Sequence, residues 1–280
     1  MSAPTARLPE AQRPATAGPR RALGVTCVLI PLSTIFCGCF VPRPTTIPVP
    51  TIRYASRPEG RPRTLVIFLP GRKSQGGDFD REGFIRMARE RGVDADLIEA
   101  DLHWGYYREG SYSERLWEDV VRPARASGYR KVWLVGISLG GSGALGFTRE
   151  HPGAVAGLVL LSPYLGPPAM AKEIRDAGGL RRWKPEAPAP PATFRRFLED
   201  IWGTLRRLTS TRQASPVLYL GYGKDERMVP SLALLAESLP AQRVIRVPGA
   251  HRWGTWKALW AELLSRHPFA APPAEKRASP

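Results

Sequence analysis

Val132-Trp133-Leu134-Val135-Gly136-Ile137-Ser138-Leu139-Gly140 is a short apolar run that closes on Gly-x-Ser-x-Gly, and Gly141-Ser142-Gly143-Ala144-Leu145-Gly146 follow it. The apolar part predicts a buried strand over 131–137, and the Gly/Ala-rich part a helix over 140–149. Between them one serine sits on a tight turn. That is the setting of a nucleophile elbow, where strained backbone lifts Oγ clear of the chain and glycines at 136 and 140 let strand and helix pass closely. The first helical amide, that of Leu139, then points at the place where an oxyanion would develop. Serine is a poor nucleophile until a base removes its proton. The elbow therefore asks the rest of the chain for a histidine and an acid, both at strand ends.

Outward from the elbow the chain alternates. Continuous apolar runs predict strands over 64–69, 95–100, 155–161, 216–221 and 243–247, and helical spacing is read over 79–91, 113–126, 231–238 and 253–266. Ser113 is read as an N-cap, with Leu116, Val120 and Val121 facing inward. Buried strands separated by helices predict an α/β fold, a mostly parallel sheet with helices on both faces, spanning 64–269. Such sheets carry their sites at the C-terminal ends of the strands, where Gly71, Ser138, Asp225 and His251 all fall. Residues 165–212, Pro-rich with amphipathic pieces at 169–177 and 193–208, break the rhythm and read as a small helical cap. The tail 270–280 is expected to be disordered.

The chain has four histidines. His151 and His267 end predicted helices, and His103 follows the second strand. His251 alone lies late in the chain at a strand's C-terminal end, which makes it the expected base. The acid is expected at Asp225, just past a strand, with the adjacent Glu226 as the alternative; it would hold the imidazole tautomer and stabilise the imidazolium. Gly141 to Gly146 also spell Gly-x-Gly-x-x-Gly, but the next strand ends in Leu161-Ser162-Pro163 without the acid that a dinucleotide site needs. These glycines are expected to pack the elbow helix on the sheet. The constellation requires no cofactor and no metal.

With the order Ser138, Asp225, His251, residues 64–267 resemble the α/β-hydrolase superfamily. The resemblance implies a second oxyanion donor from the loop Pro70-Gly71-Arg72-Lys73-Ser74: the Arg72 amide beside that of Leu139, or else that of Gly71. It also implies a serine hydrolase that cleaves carboxylic esters of small molecules or lipids through an acyl-enzyme, and a sheet trimmed at its N-terminal edge. Thioesterase, lipase, amidase and acyltransferase chemistry share such a triad, and an envelope-anchored binding or scaffold protein is the non-enzymatic alternative. Asp101 to Tyr107 and Tyr164 supply aromatics for a substrate pocket.

The 280 residues carry a formal charge of +16. The basic residues are dispersed with no run of five, so nucleic-acid binding is not expected, whereas attraction to an anionic surface needs only net charge. Cys27, Cys37 and Cys39 all precede residue 40, which excludes a disulfide, a thiolate metal site or a cysteine nucleophile from the predicted domain. A basic segment ending in Arg20-Arg21 and an apolar run over 22–41 form the layout of an export signal. Phe36-Cys37-Gly38-Cys39 resembles a bacterial lipobox, with Gly38 and Cys39 matching. That implies a leader over 1–38, a lipid on Cys39 and a membrane-anchored protein of the bacterial cell envelope. An uncleaved anchor and an ordinary cleaved signal are the alternatives. Residues 39–63, dense in proline, read as a semi-rigid linker, with 51–55 a candidate edge strand.

Overall fold

Seven strands, β1 (Thr51–Tyr54), β2 (Thr64–Leu69), β3 (Asp96–Ala100), β4 (Lys131–Ile137), β5 (Gly157–Leu161), β6 (Val217–Gly223) and β7 (Val244–Val247), form one sheet in the order β1-β3-β2-β4-β5-β6-β7. All neighbours pair in parallel except β1, which runs antiparallel along β3. This computed structural model describes residues 43–56, 64–185, 188–191, 193–210 and 216–269. The leader with Cys39 and the tail 270–280 lie outside the described residues.

Helices cover both faces. Between β2 and β3 lie α1 (Asp78–Arg81) and α2 (Phe84–Glu90). Before β4 come α3 (Trp104–Arg108), α4 (Tyr112–Arg115), a π-helical turn Leu116–Val121, and α5 (Arg122–Ala126). Next are α6 (Leu139–Glu150), α7 (Pro168–Asp176), α8 (Phe194–Thr209), α9 (Val229–Ala236) and α10 (Trp253–Leu264). The alternation of side chains along β2 explains why its strand reads as unbroken apolar sequence. Leu65, Ile67 and Leu69 point into a core shared with α6, α8 and α9, while Val66 and Phe68 point into one shared with α1, α2 and α10. In the second core Phe68 meets Phe79 at 4.9 Å and Trp260 at 5.6 Å between ring centroids.

Local chemistry divides two of the predicted helices. The stretch 79–91 breaks at Gly83, whose left-handed φ of 84° lets its N–H close on Asp80 as α1 ends. The stretch 113–126 starts a residue early and widens into the π-helical turn ahead of Pro123, a residue that cannot donate into an α-helical ladder. Ser113 is therefore inside the helix, its Oγ buried without a hydrogen-bond partner, and Ser111 occupies the capping position.

The proline-rich stretch expected as a spacer is part of the domain over 43–54, and its end forms the edge strand β1 where one was read. Arg43 grips both carboxylate oxygens of Asp101 at 2.8 Å. The Thr46 backbone exchanges hydrogen bonds with the Tyr106 hydroxyl, and Val49 N–H donates to Asp119 at 2.9 Å. Extended chain leaves its backbone groups unpaired, and these side chains, with the open edge of β3, supply partners.

The inserted helices likewise join the main core rather than standing apart from it. Leu198, Ile201, Trp202 and Leu205 of α8 lie in the cluster that contains β2 and β4 side chains, and the Trp202 indole donates to Leu165 O at 2.8 Å. Thr193 caps α8 by accepting from Arg196 N–H at 3.1 Å. Gly203 sits inside α8, and a Cβ added there would meet nothing within 4 Å. Gly203→Ala is therefore expected to stabilise the domain by about 0.5–1 kcal/mol, raising Tm by about 1–4 °C in thermal denaturation.

Candidate active site

Ser138 stands between β4 and α6 at φ 53° and ψ −113°, a conformation that side-chain-bearing residues rarely adopt. The neighbouring loop holds it there. Ser138 N–H donates to Leu161 O at 3.0 Å, and Ser138 O accepts from Gly141 and Tyr164. The two motif glycines are needed for contact between backbones. A Cβ at Gly140 would lie 2.2 Å from Leu69 O, and one at Gly136 would lie 2.4 Å from Gly140 O.

The loop after β7 brings His251 to the serine. His251 Nε2 lies 2.9 Å from Ser138 Oγ, and Nδ1 lies 2.8 Å from Glu226 Oε2. The imidazole stands edge-on to the Trp256 ring, with centroids 4.9 Å apart. The Glu226 side chain is 0% exposed against 33% for His251. Its other oxygen, Oε1, accepts from Gly223 N–H at 2.7 Å and from the Ser162 hydroxyl, which in turn accepts from the Trp256 indole at 3.1 Å. A buried carboxylate is tolerable only when its oxygens are hydrogen-bonded, and here both are.

The acid beside His251 is thus Glu226, the alternative, and not Asp225. Strand β6 runs on to Gly223, two residues beyond its predicted end, and the chain then turns Glu226 inward toward the donors at Gly223 and Ser162. Asp225 points to solvent, where its carboxylate accepts from Gly249 N–H at 2.8 Å and its own N–H donates to Gly249 O at 3.1 Å. It braces the loop that carries His251 without touching the ring.

The elements expected to supply oxyanion donors, α6 and the loop after β2, flank the serine. Leu139 is the first residue of α6, where an amide has no acceptor within the helix. The loop that carries Arg72 turns back on itself through Ser74 N–H to Gly71 O at 3.0 Å, and a Cβ at Gly71 would be 3.6 Å from Ser138 Cβ. The Arg72 guanidinium lies over the Trp104 ring at 4.9 Å. Carboxylates from β3 hold this loop. Asp101 accepts from Gly76 N–H, and buried Glu99 accepts from the amides of Gly77, Phe79 and Asp80 and from the Tyr54 hydroxyl. Burial pushes the Glu99 carboxyl above its ordinary range.

No family model matches the chain, and no curated protein matches it in sequence. Solved structures do. A ferulic acid esterase superposes with a TM-score of 0.53 at 13% identity, over 79% of this chain and 92% of its own. FphF, a fluorophosphonate-binding serine hydrolase of Staphylococcus aureus, gives 0.53 at 16% identity over 78% and 88%. Est1E from Butyrivibrio proteoclasticus with ferulic acid bound gives 0.53 at 13% over 78% and 95%. The chain adopts the α/β-hydrolase fold. Among the described residues its antiparallel edge consists of β1, in keeping with the expected trimming of that edge.

A cavity of about 420 Å³ opens beside Leu139 and follows α6 to Arg149 and Glu150, flanked by α3, α4 and α8. Trp104, Tyr107, Tyr112, Phe194 and Phe197 form its aromatic walls. Tyr107 and Tyr112 stack at 4.6 Å, and Phe194 and Phe197 at 5.9 Å. Of the aromatics expected to line a pocket, Trp104 and Tyr107 do so, while Tyr164 backs Phe194 at 5.9 Å. At the distal end Asp200 pairs with Arg149 and Arg196. Of the Gly-x-Gly-x-x-Gly glycines, Gly141 packs on the sheet side as expected, where a Cβ would lie 2.8 Å from Pro163 Cβ and 3.3 Å from Gly136 O of β4, whereas Gly143 and Gly146 serve this wall. A Cβ at Gly143 would fall 2.1 Å from the Tyr107 hydroxyl, and one at Gly146 would fall 2.1 Å from that of Tyr112.

The other histidines have different tasks. His103 caps α3 by accepting from Gly105 N–H at 3.1 Å; burial, helped by Arg43, pushes its pKa down. His151 ends α6, stacked on Trp117 at 4.7 Å. A separate cavity of about 480 Å³ near Gly179, Pro216 and Pro240 is at the opposite end of the strands. Among the described residues no group of three or more His, Cys, Asp or Glu side chains is placed to hold a metal ion. Sequence reading passed over Ser162, Gly223, Trp256 and Phe197. Only the left-handed backbone of Ser162, at φ 48°, marks it as unusual, and that is invisible in sequence.

Proposed function

We propose that this protein is a serine hydrolase that cleaves carboxylic esters through an acyl-enzyme. The observation that carries this reading is the unbroken relay from Ser138 Oγ through His251 to buried Glu226, at 2.9 Å and 2.8 Å. Ser138 Oγ attacks the ester carbonyl while its proton passes to His251 Nε2. The C–O bond to the alcohol breaks, and the alcohol leaves with that proton. Water then gives a proton to His251, attacks the acyl carbon and releases the acid and Ser138. Glu226 keeps the Nδ1 proton in place and stabilises the imidazolium. The amides of Leu139 and Arg72 hold the oxyanion.

The aromatic cavity along α6 receives the apolar portion of the ester. The fold neighbours described as esterases and serine hydrolases support the same chemistry. On the leader's layout and the lipobox-like Cys39, we place the enzyme in the bacterial cell envelope, anchored through its N-terminus.

A fluorophosphonate probe tests the reading directly. The folded protein is expected to take up one probe per chain at Ser138, seen by intact mass, and Ser138→Ala to take up none. A folded wild-type chain that stays unlabelled, or labelling that persists in the variant, removes the proposal.

A further inference from the structure

The arm that leads out of the domain leaves it at the catalytic edge. Arg43 is fixed to Asp101, the residue that follows β3 at the C-terminal end of the sheet. Its carbonyl presses on Gly105 in α3, where an added Cβ would lie 2.6 Å from Arg43 O. Two residues later α3 contributes Tyr107 to the aromatic cavity. The same Asp101 carboxylate accepts from Gly76 N–H at 2.9 Å, in the loop that carries Arg72. In sequence, Cys39 precedes Arg43 by four residues, and the apolar run ends at Val41. Four residues of fully extended chain span at most ~14 Å. An anchor in that run, lipidated or embedded, is therefore joined to Arg43 by a connection of four residues or fewer.

The loops on that edge carry exposed cations. Arg72 and Lys73 follow β2, Arg108 lies in α3, Lys224 and Arg227 follow β6, and Arg252 precedes α10. Among the acids on these loops, Asp225 is exposed, and Glu109 accepts a hydrogen bond from Thr45. Phe194, 49% exposed, forms part of the cavity wall beside the elbow, and Ile47, 74% exposed, stands on the arm. A cationic rim with large apolar side chains among it complements an anionic bilayer, and one acyl chain alone anchors only marginally without such a second contact.

We infer that the catalytic edge docks on an anionic bilayer, and that the ester is drawn from it: an acyl lipid whose chain enters the aromatic cavity along α6. The substrate half rests on the serine-hydrolase reading; the docking half does not. A short tether raises the effective concentration of membrane-held ester at Ser138, whereas a long one dilutes it.

The test uses the full chain in vesicles of phosphatidylcholine, with or without phosphatidylglycerol. Two rates are measured: hydrolysis of a water-soluble nitrophenyl ester, and release of a fluorogenic acyl chain from a glycerolipid in the same vesicles. One variant is Lys73→Glu/Lys224→Glu/Arg227→Glu; the other carries a Gly/Ser spacer of about twenty residues after Val41. Both are expected to keep the soluble-ester rate and to lose about tenfold or more of the lipid-ester rate, and the wild type is expected to work faster on the anionic vesicles. Equal lipid-ester rates in all three proteins overturn the inference.

Docking is read without turnover by hydrogen exchange of Ser138→Ala on the same vesicles. Residues 70–77, 104–110 and 224–228 are expected to exchange more slowly on the anionic ones, and unchanged exchange overturns docking whatever the rates. Protection without any soluble-ester activity in the wild type supports docking and overturns the lipid-ester half together with the hydrolase reading.

Discussion

Glu226→Gln is expected to lower kcat by about 10⁴-fold, and Asp225→Asn by less than about tenfold, although the two residues are adjacent. The reason is proton direction. Glu226 Oε1 takes hydrogen bonds from Gly223 N–H and the Ser162 hydroxyl, so in the variant the amide oxygen is expected to keep that side. The new NH₂ then faces His251 Nδ1 and donates to it. The imidazole must place its own proton on Nε2, where it points at Ser138 and cannot accept the serine proton. Every buried polar group is still paired, so the variant is expected to fold. Asp225 instead holds Gly249 in the loop before His251, through an exposed hydrogen bond of 2.8 Å. Such a bond contributes about 0.5–1.5 kcal/mol, and the catalytic cost of loosening it is small. Steady-state kinetics on a nitrophenyl ester, with thermal denaturation to check folding, separate the two. A larger loss of kcat in Asp225→Asn than in Glu226→Gln would contradict the assignment of the relay.

That pair of acids also marks where sequence stops being informative. The elbow was legible because all its requirements are local: an apolar strand, a serine and two glycines within nine residues. His251 was legible by elimination among four histidines. The choice between Asp225 and Glu226 depends on which carboxylate finds donors inside, and one of these, Ser162, lies on a different loop 64 positions away. The cavity was legible only at its α3 wall, for a related reason. Its walls come from α3, α4 and α8, and the packing of α8 against α6 leaves no periodicity beyond an ordinary amphipathic stripe. The arm at 43–54 misled in the opposite direction. Proline density describes extended chain correctly, but Arg43, Thr46 and Val49 find partners on Asp101, Tyr106 and Asp119 that composition cannot announce.

Gly140→Ala is expected to destabilise the domain by about 3 kcal/mol or more, a fall in Tm of about 6–12 °C, and to abolish fluorophosphonate labelling well below the new Tm. The added methyl would lie 2.2 Å from Leu69 O, 2.6 Å from Leu69 C and 2.8 Å from Pro70 O. These are backbone atoms at the end of β2, so no rotamer change relieves the overlap. Leu69 is paired in register with Gly136 on β4, which fixes the obstacle to the sheet itself. Relief requires the first turn of α6 to lift. That turn carries the Leu139 amide and sets the backbone of Ser138, so the strained serine and its oxyanion donor are lost together. Gly143→Ala is the control within the same helix. Its methyl meets only the end of the Tyr107 side chain, which can swing toward the cavity. It is expected to leave labelling intact and to reduce hydrolysis of bulky acyl esters more than that of acetate esters. Equal losses of labelling in the two variants would mean that the helix tolerates no methyl anywhere, and would remove the argument that Gly140 is required for the elbow in particular.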